Sequence, residues 1–398
     1  MKKNLILILL MAVLGVSSCS CDKREKTSYE NLLIYYGCGY NNLSGYLAED
    51  IRSITEGAVP DANSDNAIVA FCHNTVRNTG DYQTKHAPCL IKIYRRSGYV
   101  VRDTLKVYPE KSVDTDPEFF NSVLSEIKNR YQAKHYGLIF SSHGSGWLPE
   151  SYYYSPKDKT KSDILRSIGS QYDISAANAR EMDIRKFAEA IPMHLDYMIL
   201  DCCLMGCVEV AYEVKDKCSY FVASPTEILT DGLDYVNIPG RLLSSKPDLE
   251  GVCLDYYSLY EKRSNPSATI SLVDCSMLTE LSRIAADIIS AHREEIEALD
   301  RNRIQSYARR SRPYFYDFRH ILESCGATQQ ELELLDSALE KTVLLEKHTE
   351  YFLRGESDYN IKLDNCSGMS MYLPGASWTY LNDYYKTLAW NKQVKLVE

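Results

Sequence analysis

Residues 195–213, LDYMILDCCLMGCVEVAYE, constrain this chain more than any other stretch. The apolar run 195–200 reads as a buried central strand, and Val208, Ala211 and Val214 repeat at helical spacing, so Cys203 falls at a strand-to-helix turn. In an α/β sheet that turn is where a ligand crevice opens. Backbone N–H groups and a helix dipole can depress a thiol there from its usual pKa of about 8.5. A second apolar run, 136–140, ends in Ser141-Ser142-His143-Gly144-Ser145-Gly146-Trp147. Two neighbouring parallel strands then bring a histidine and a cysteine side by side. A lone cysteine in an apolar segment is most often a small buried hydrophobe. Paired with a histidine at the carboxyl end of a second strand, it forms the minimal set for thiol acyl chemistry, with thiolate as nucleophile and imidazole as base and then acid.

At these residues the chain resembles the clostripain-like cysteine peptidases, relatives of the caspases and gingipains. The match rests on His143-Gly144-Ser145-Gly146-Trp147, on Asp201-Cys202-Cys203-Leu204-Met205-Gly206 and on Ala223-Ser224-Pro225-Thr226-Glu227. The stretch Asn365-Cys366-Ser367-Gly368-Met369-Ser370-Met371-Tyr372-Leu373-Pro374 is similar to a late family landmark, and the likeness spans residues 32–374. It implies a caspase-like α/β fold, a mostly parallel sheet sandwiched by helices with a helical C-terminal portion. It further implies an endopeptidase that cleaves after Arg or Lys, with Cys203 as nucleophile, His143 as acid and base, and the Gly144 and Cys203 amides as oxyanion hole.

The same resemblance assigns Asp201 to the pocket for the basic side chain. A carboxylate two residues before a thiol discourages thiolate formation, which argues that Asp201 has another use. The alternative is a strand-end carboxylate that caps the following helix. Glu227 and Asp231 are further acids for that pocket, Asp231 at the Asp231-Gly232 turn. Where the family carries an acid, this chain aligns Tyr40, and no third triad residue is assigned. Calcium stays open as an accessory ion because some relatives respond to it, although no EF-hand spacing is present. No other cofactor is expected.

The chain has 398 residues and a formal charge of −9. Losing Lys2 and Lys3 with a leader takes −9 to −11, since residues 1–18 hold no acid. Such a chain is a poor nucleic-acid binder and suits basic peptide or protein substrates. Residues 1–18 read as an export signal, and Val16-Ser17-Ser18-Cys19 resembles a bacterial lipobox, which implies lipidation at Cys19. A plain secretory leader is the alternative. Residues 19–28 form a tether, 29–245 the catalytic core and 246–398 a mainly helical portion packed on it. The protein is thus expected to be exported, lipid-anchored to a bacterial membrane, and monomeric. Its cysteines lack the tight spacing of a disulfide scaffold or a zinc site, so free buried thiols are expected.

Along the chain, 31–40 reads as a strand, Asn41-Asn42-Leu43-Ser44 as a turn with an N-cap, and 45–54 as a helix. A strand at 66–72 and a hairpin over 89–107, turning at Ser97-Gly98, follow. Asp116-Pro117 opens a helix with an apolar stripe at Phe119, Phe120, Val123, Leu124 and Ile127. Residues 147–182 read as a solvated loop. The resemblance marks Lys157, Lys159, Lys161 and Arg166 there as candidates for self-processing. Then come helices at 181–191, 249–263, 277–304 and 329–348, and strands at 220–224, 268–273 and 368–373. His73 is the reserve histidine, His320 and His348 read as solvated helix residues, and Trp147 as a packing plug. Two rival functions use the same fold: a catalytically silent binding lipoprotein, and a transpeptidase with the same dyad.

Overall fold

β1 (Ser28–Gly39) is the strand from which the sheet grows. Leu32, Ile34 and Tyr36 face one apolar cluster and Leu33 and Tyr35 the other, so both faces are buried, as a parallel strand covered by helices on each side requires. This computed structural model describes residues 26, 28–74, 87–149, 152, 168–171, 180–244, 246–309 and 314–398. Residues 1–18, read above as an export signal, together with Cys19 and the cleavage candidates Lys157, Lys159, Lys161 and Arg166, lie outside the described residues.

After β1 come α1 (Ser44–Glu56) and β2 (Asn66–Asn74). β3 (Cys89–Arg96) and β4 (Tyr99–Val107) form the hairpin read from the sequence. Ser97 and Gly98 take φ of 51° and 84°, both positive, as a two-residue type I′ turn demands. α2 (Pro117–Arg130) starts where the Asp116 side chain accepts from the Phe119 N–H at 2.9 Å. β5 (Gln132–Ser141) leads to a short pair, β6 (Ile168–Gln171) and β7 (Arg180–Met182), then α3 (Ile184–Ala190) and β8 (Leu195–Asp201). α4 (Val208–Val214), β9 (Cys218–Ala223), α5 (Ile238–Leu242), α6 (Leu249–Glu261) and β10 (Thr269–Asp274) follow. The C-terminal part holds α7 (Leu278–Ala291), α8 (Arg293–Glu297), β11 (Tyr316–Asp317), α9 (Phe318–Ser324), α10 (Gln329–Thr342) and β12 (Val343–His348).

Nine strands form one sheet in the order β12-β10-β9-β8-β5-β1-β2-β3-β4. The five from β9 to β2 run parallel, and antiparallel strands flank them on both sides. α1 and α6 cover one face, whereas α2, α3, α4 and α7 pack on the other. The chain leaves β1 toward β2 and later returns on the opposite side through β5, so the strand order reverses between β1 and β5. Ligand crevices of open α/β sheets lie outside the carboxyl ends of strands at such a reversal.

Three expectations change. The helix read over 329–348 ends at Thr342, and Val343–His348 becomes β12, which pairs with β10 and takes its edge hydrogen bonds. His348 is therefore on a strand. The helix read over 277–304 breaks at His292 and stops at Glu297. The strand read over 368–373 reduces to Ser370–Met371, which pairs with β11 outside the main sheet. In addition, 181–191 is helical only from Ile184, with Asp183 accepting from the Arg185 N–H at 2.9 Å.

Candidate active site

Three strand ends converge on one crevice. The turn after β1 and the start of α1 bring Asn42, Leu43 and Leu47, β5 delivers Ser141 to Gly144, and β8 delivers Asp201 to Cys203. Gly37 pairs with Ser141 and Ser141 with Asp201 across the ladder, so these segments leave the sheet at one level. The crevice holds about 320 Å³ and is closed on its other side by residues 227–230, Gly232 and Arg309. His143 and Cys203 both line it. A larger open groove lined by Ala62, Asn66, Arg95 and Gly240 contains neither.

Cys203 does not sit at a helix N-terminus. The chain runs on through Leu204, at φ 62°, and α4 begins only at Val208. The Leu204 N–H donates to the Thr226 carbonyl at 2.9 Å and Gly206 N–H to Ser224 at 2.8 Å, which holds this turn against the loop after β9. The helix field fades within one turn and does not reach the thiol. Burial instead raises the Cys203 pKa, with Glu227 adding to the rise, while the thiol donates to the Ile228 carbonyl at 3.6 Å. The thiol acidified by a helix dipole, expected from the sequence, is thus absent from this resting state.

His143 is half-buried, and burial lowers its pKa to about 4 although Glu227 pulls it upward. Its Nε2 lies 2.7 Å from the Asn42 Oδ1. An amide oxygen only accepts, so Nε2 carries the proton and Nδ1 holds the free lone pair. The turn that presents Asn42 is fixed by its neighbour. Asn41 Nδ2 donates to the Cys38 carbonyl at 2.9 Å, and the Asn41 side chain accepts from the Leu43 N–H at 2.8 Å. The expected side-chain N-cap of α1 does not form; Leu43 occupies the capping position.

Gly144 packs against the backbone of the cysteine turn. A Cβ there would lie 2.7 Å from the Cys203 carbonyl oxygen, 2.8 Å from Cys202 Cβ and 3.0 Å from Met205 Sδ. Only glycine lets the two loops approach this closely. The Gly169 N–H in turn donates to the His143 carbonyl at 3.0 Å, which ties β6 to the histidine loop. Trp147 is buried against Tyr372 and Tyr385, at ring distances of 4.7 and 5.0 Å, as the packing plug expected.

The three acids separate. Asp201 is buried in the crevice wall, where its Oδ2 accepts from Ser141 Oγ at 3.0 Å and from the Tyr235 hydroxyl at 2.6 Å; it caps no helix. Asp231 does not line the crevice, for its carboxylate is exposed and takes Arg263 Nη2 at 2.6 Å. Glu227 lines the thiol end, yet Arg309 Nε at 3.1 Å and the Tyr359 hydroxyl at 2.7 Å occupy it. Asn42 and Asp50, both lining residues, were not singled out from the sequence.

His73, the reserve histidine, and His135 have partners of their own. His73 is buried on Asp114, with Nδ1 at 2.7 Å from Oδ1, and His135 pairs with Asp196 at 2.8 Å. The described cysteines are free thiols. No metal-ligating cluster of three is found at the crevice among the described residues; Glu346, His348 and Cys366 bring ligand atoms within 4.8 Å of one another elsewhere. No described helix is long and apolar enough to cross a membrane.

The model of the clostripain family matches residues 35–397. Clostripain of Hathewaya histolytica is 26% identical over 243 residues, which cover 55% of this chain and 44% of that protein. The match thus spans less than half the length of that relative. An inactive zymogen C11 protease from Parabacteroides distasonis superposes with a TM-score of 0.78 at 25% identity, covering 93% of this chain and 99% of that one. A secreted C11 cysteine protease from Bacteroides thetaiotaomicron gives 0.76 at 24%, covering 93% and 100%. Its complex with an irreversible peptide inhibitor gives 0.75 at 24%, covering 92% and 98%.

Proposed function

This chain belongs to the clostripain family, and on that premise we propose that it is a cysteine endopeptidase that cleaves peptide bonds after Arg or Lys through Cys203 and His143. The observation that carries the reading is that one crevice holds a thiol, an imidazole with its Nδ1 lone pair free, and a buried carboxylate, Asp201. One relative was captured with an irreversible peptide inhibitor, in keeping with peptide substrates here.

In this mechanism the dyad rests as neutral thiol and neutral imidazole. The Cys203 sulfur attacks the scissile carbonyl carbon as its proton passes to His143 Nδ1. The developing oxyanion takes the N–H groups of Gly144 and Cys203. Collapse breaks the C–N bond while the imidazolium gives its proton to the leaving amine. The thioester is then hydrolysed by water, with His143 again as base, and the thiol is restored. Asn42 holds the imidazole in the tautomer that each proton transfer needs.

Self-processing at Lys157, Lys159, Lys161 or Arg166 belongs to the same proposal. β6 follows that segment directly and is bonded to the His143 loop, so a cut there would release chain tied to the site. Export, with a lipid anchor at Cys19, completes it; one relative is described as secreted. Hydrolysis of matched peptides that differ only in the residue before the scissile bond is the test. Turnover confined to Arg and Lys, and lost in Cys203→Ala and His143→Ala, supports the reading, whereas turnover that survives Cys203→Ala rejects it.

A further inference from the structure

α1 places an acid where its own pattern calls for an apolar residue. Leu47, Ile51 and Ile54 form the buried stripe, and Asp50 lies on it, at 5% exposure. A carboxylate seldom occupies such a position without a cation or full hydrogen bonding. Asp50 has neither. Its Oδ2 accepts from the Tyr35 hydroxyl at 2.9 Å, and its other oxygen has no hydrogen-bond partner among the described residues.

Asp201, 6% exposed, repeats the arrangement, with Oδ2 held by Tyr235 and Ser141 and its second oxygen unpartnered among the described residues. Both acids line the crevice of Cys203 and His143. The Tyr35 and Tyr235 rings meet edge to face at 5.7 Å, so the two phenols brace the two carboxylates as one unit. Burial, and then the charge of Asp201, raise the Asp50 carboxyl, which is consistent with two acids close enough to feel each other. Neither acid has an ion-pair partner among the described residues, whereas Asp231 is already taken by Arg263.

We infer that Asp50 is the second specificity-determining acid of this crevice, forming with Asp201 a cradle for the basic side chain of the substrate, the role the sequence assigns to Asp231. The inference rests on the peptidase reading proposed above. A guanidinium or ammonium carries donors and no acceptor, and a cation seated between the two carboxyls would favour their ionised, acceptor-only form. A neutral side chain of the same shape leaves at least one buried carboxylate unanswered.

The test is kcat/KM on matched peptides with Arg, Lys or citrulline before the scissile bond, for wild type, Asp50→Asn and Asp231→Asn. Asp50→Asn is expected to lower kcat/KM on Arg and Lys by about tenfold or more, the scale of one charge-assisted hydrogen bond, and to spare citrulline, so the Arg-over-citrulline ratio collapses. Asp231→Asn is expected to leave that ratio unchanged. If wild type prefers Arg and Asp50→Asn keeps the ratio, the inference is wrong while the basic-specific reading stands. If Asp231→Asn collapses the ratio, Asp231 is the second acid and the inference is again wrong, whether or not Asp50→Asn folds. A wild type that does not prefer Arg or Lys over citrulline removes both readings together.

Discussion

His143 Nε2 meets Asn42 Oδ1 at 2.7 Å, a contact between residues 101 positions apart that leaves Nδ1 as the only basic nitrogen of the ring. Asn42→Ala removes that restraint and is expected to lower kcat by about 10- to 100-fold, the scale of one to three kcal/mol, with little change in KM. Asn42→Asp retains the acceptor but adds charge, which favours imidazolium. The acid limb of its pH–rate profile therefore moves to higher pH. A loss in Asn42→Ala that falls wholly on KM would remove the orienting role.

On the proposed mechanism the Cys203–His143 pair rests neutral at pH 7, since burial lowers His143 to about 4 and pushes the Cys203 thiol up. The iodoacetamide rate at Cys203 should keep climbing above neutral pH rather than level off as an ion pair would. Glu227→Gln removes the charge that most opposes the thiolate, so labelling at pH 7 should quicken by about threefold to tenfold, from a shift of up to about one pKa unit. A rate that stays flat between about pH 5 and 8, as an ion-paired thiolate gives, would contradict the neutral pair.

Gly144→Ala introduces a methyl 2.7 Å from the Cys203 carbonyl oxygen. The cysteine turn has to shift, and with it the N–H groups proposed to hold the oxyanion, so kcat should fall by roughly 100-fold while thermal stability changes far less. Equal losses in kcat and in folded fraction would reduce Gly144 to a packing role.

Glu209, on α4, has its carboxyl pushed up from 4.5 to about 7 by burial, although Tyr372 N–H and the Tyr385 hydroxyl donate to it at 2.8 and 2.7 Å. A raised folded-state pKa means that the folded chain keeps a proton the unfolded chain gives up. The contribution is complete below pH 4.5 and declines as pH rises through 7, up to about 3 kcal/mol in all. Urea midpoints measured across that window should fall for wild type and fall less for Glu209→Gln. Identical slopes would place the effect elsewhere.

Local pattern carried much of this molecule. The runs that end at His143 and Cys203, the Asp116-Pro117 helix start and the Ser97-Gly98 turn are short-range features, and the sheet follows from them with helices on both faces. The site is less local. Asn42 and Asp50 owe their places to the pairing of β1 with β5, which no spacing in the chain reveals, and Asp50 is hidden in an otherwise regular apolar stripe. Asp231 looked right by position, yet Arg263, 32 residues further on, takes its carboxylate. Helix and strand trade places where tertiary pairing decides, as at β12, whose residues continue a helical pattern until the open edge of β10 claims them.

The most direct measurement is the intact mass of the protein lacking residues 1–19 after incubation with an Arg- or Lys-directed acyloxymethyl ketone, for wild type, Cys203→Ala and Cys202→Ala. A single adduct present in wild type and Cys202→Ala and lost in Cys203→Ala is the result predicted. No adduct on wild type, even with calcium present and the chain nicked between residues 157 and 166, or an adduct that persists in Cys203→Ala, would contradict Cys203 as the nucleophile of a basic-specific peptidase.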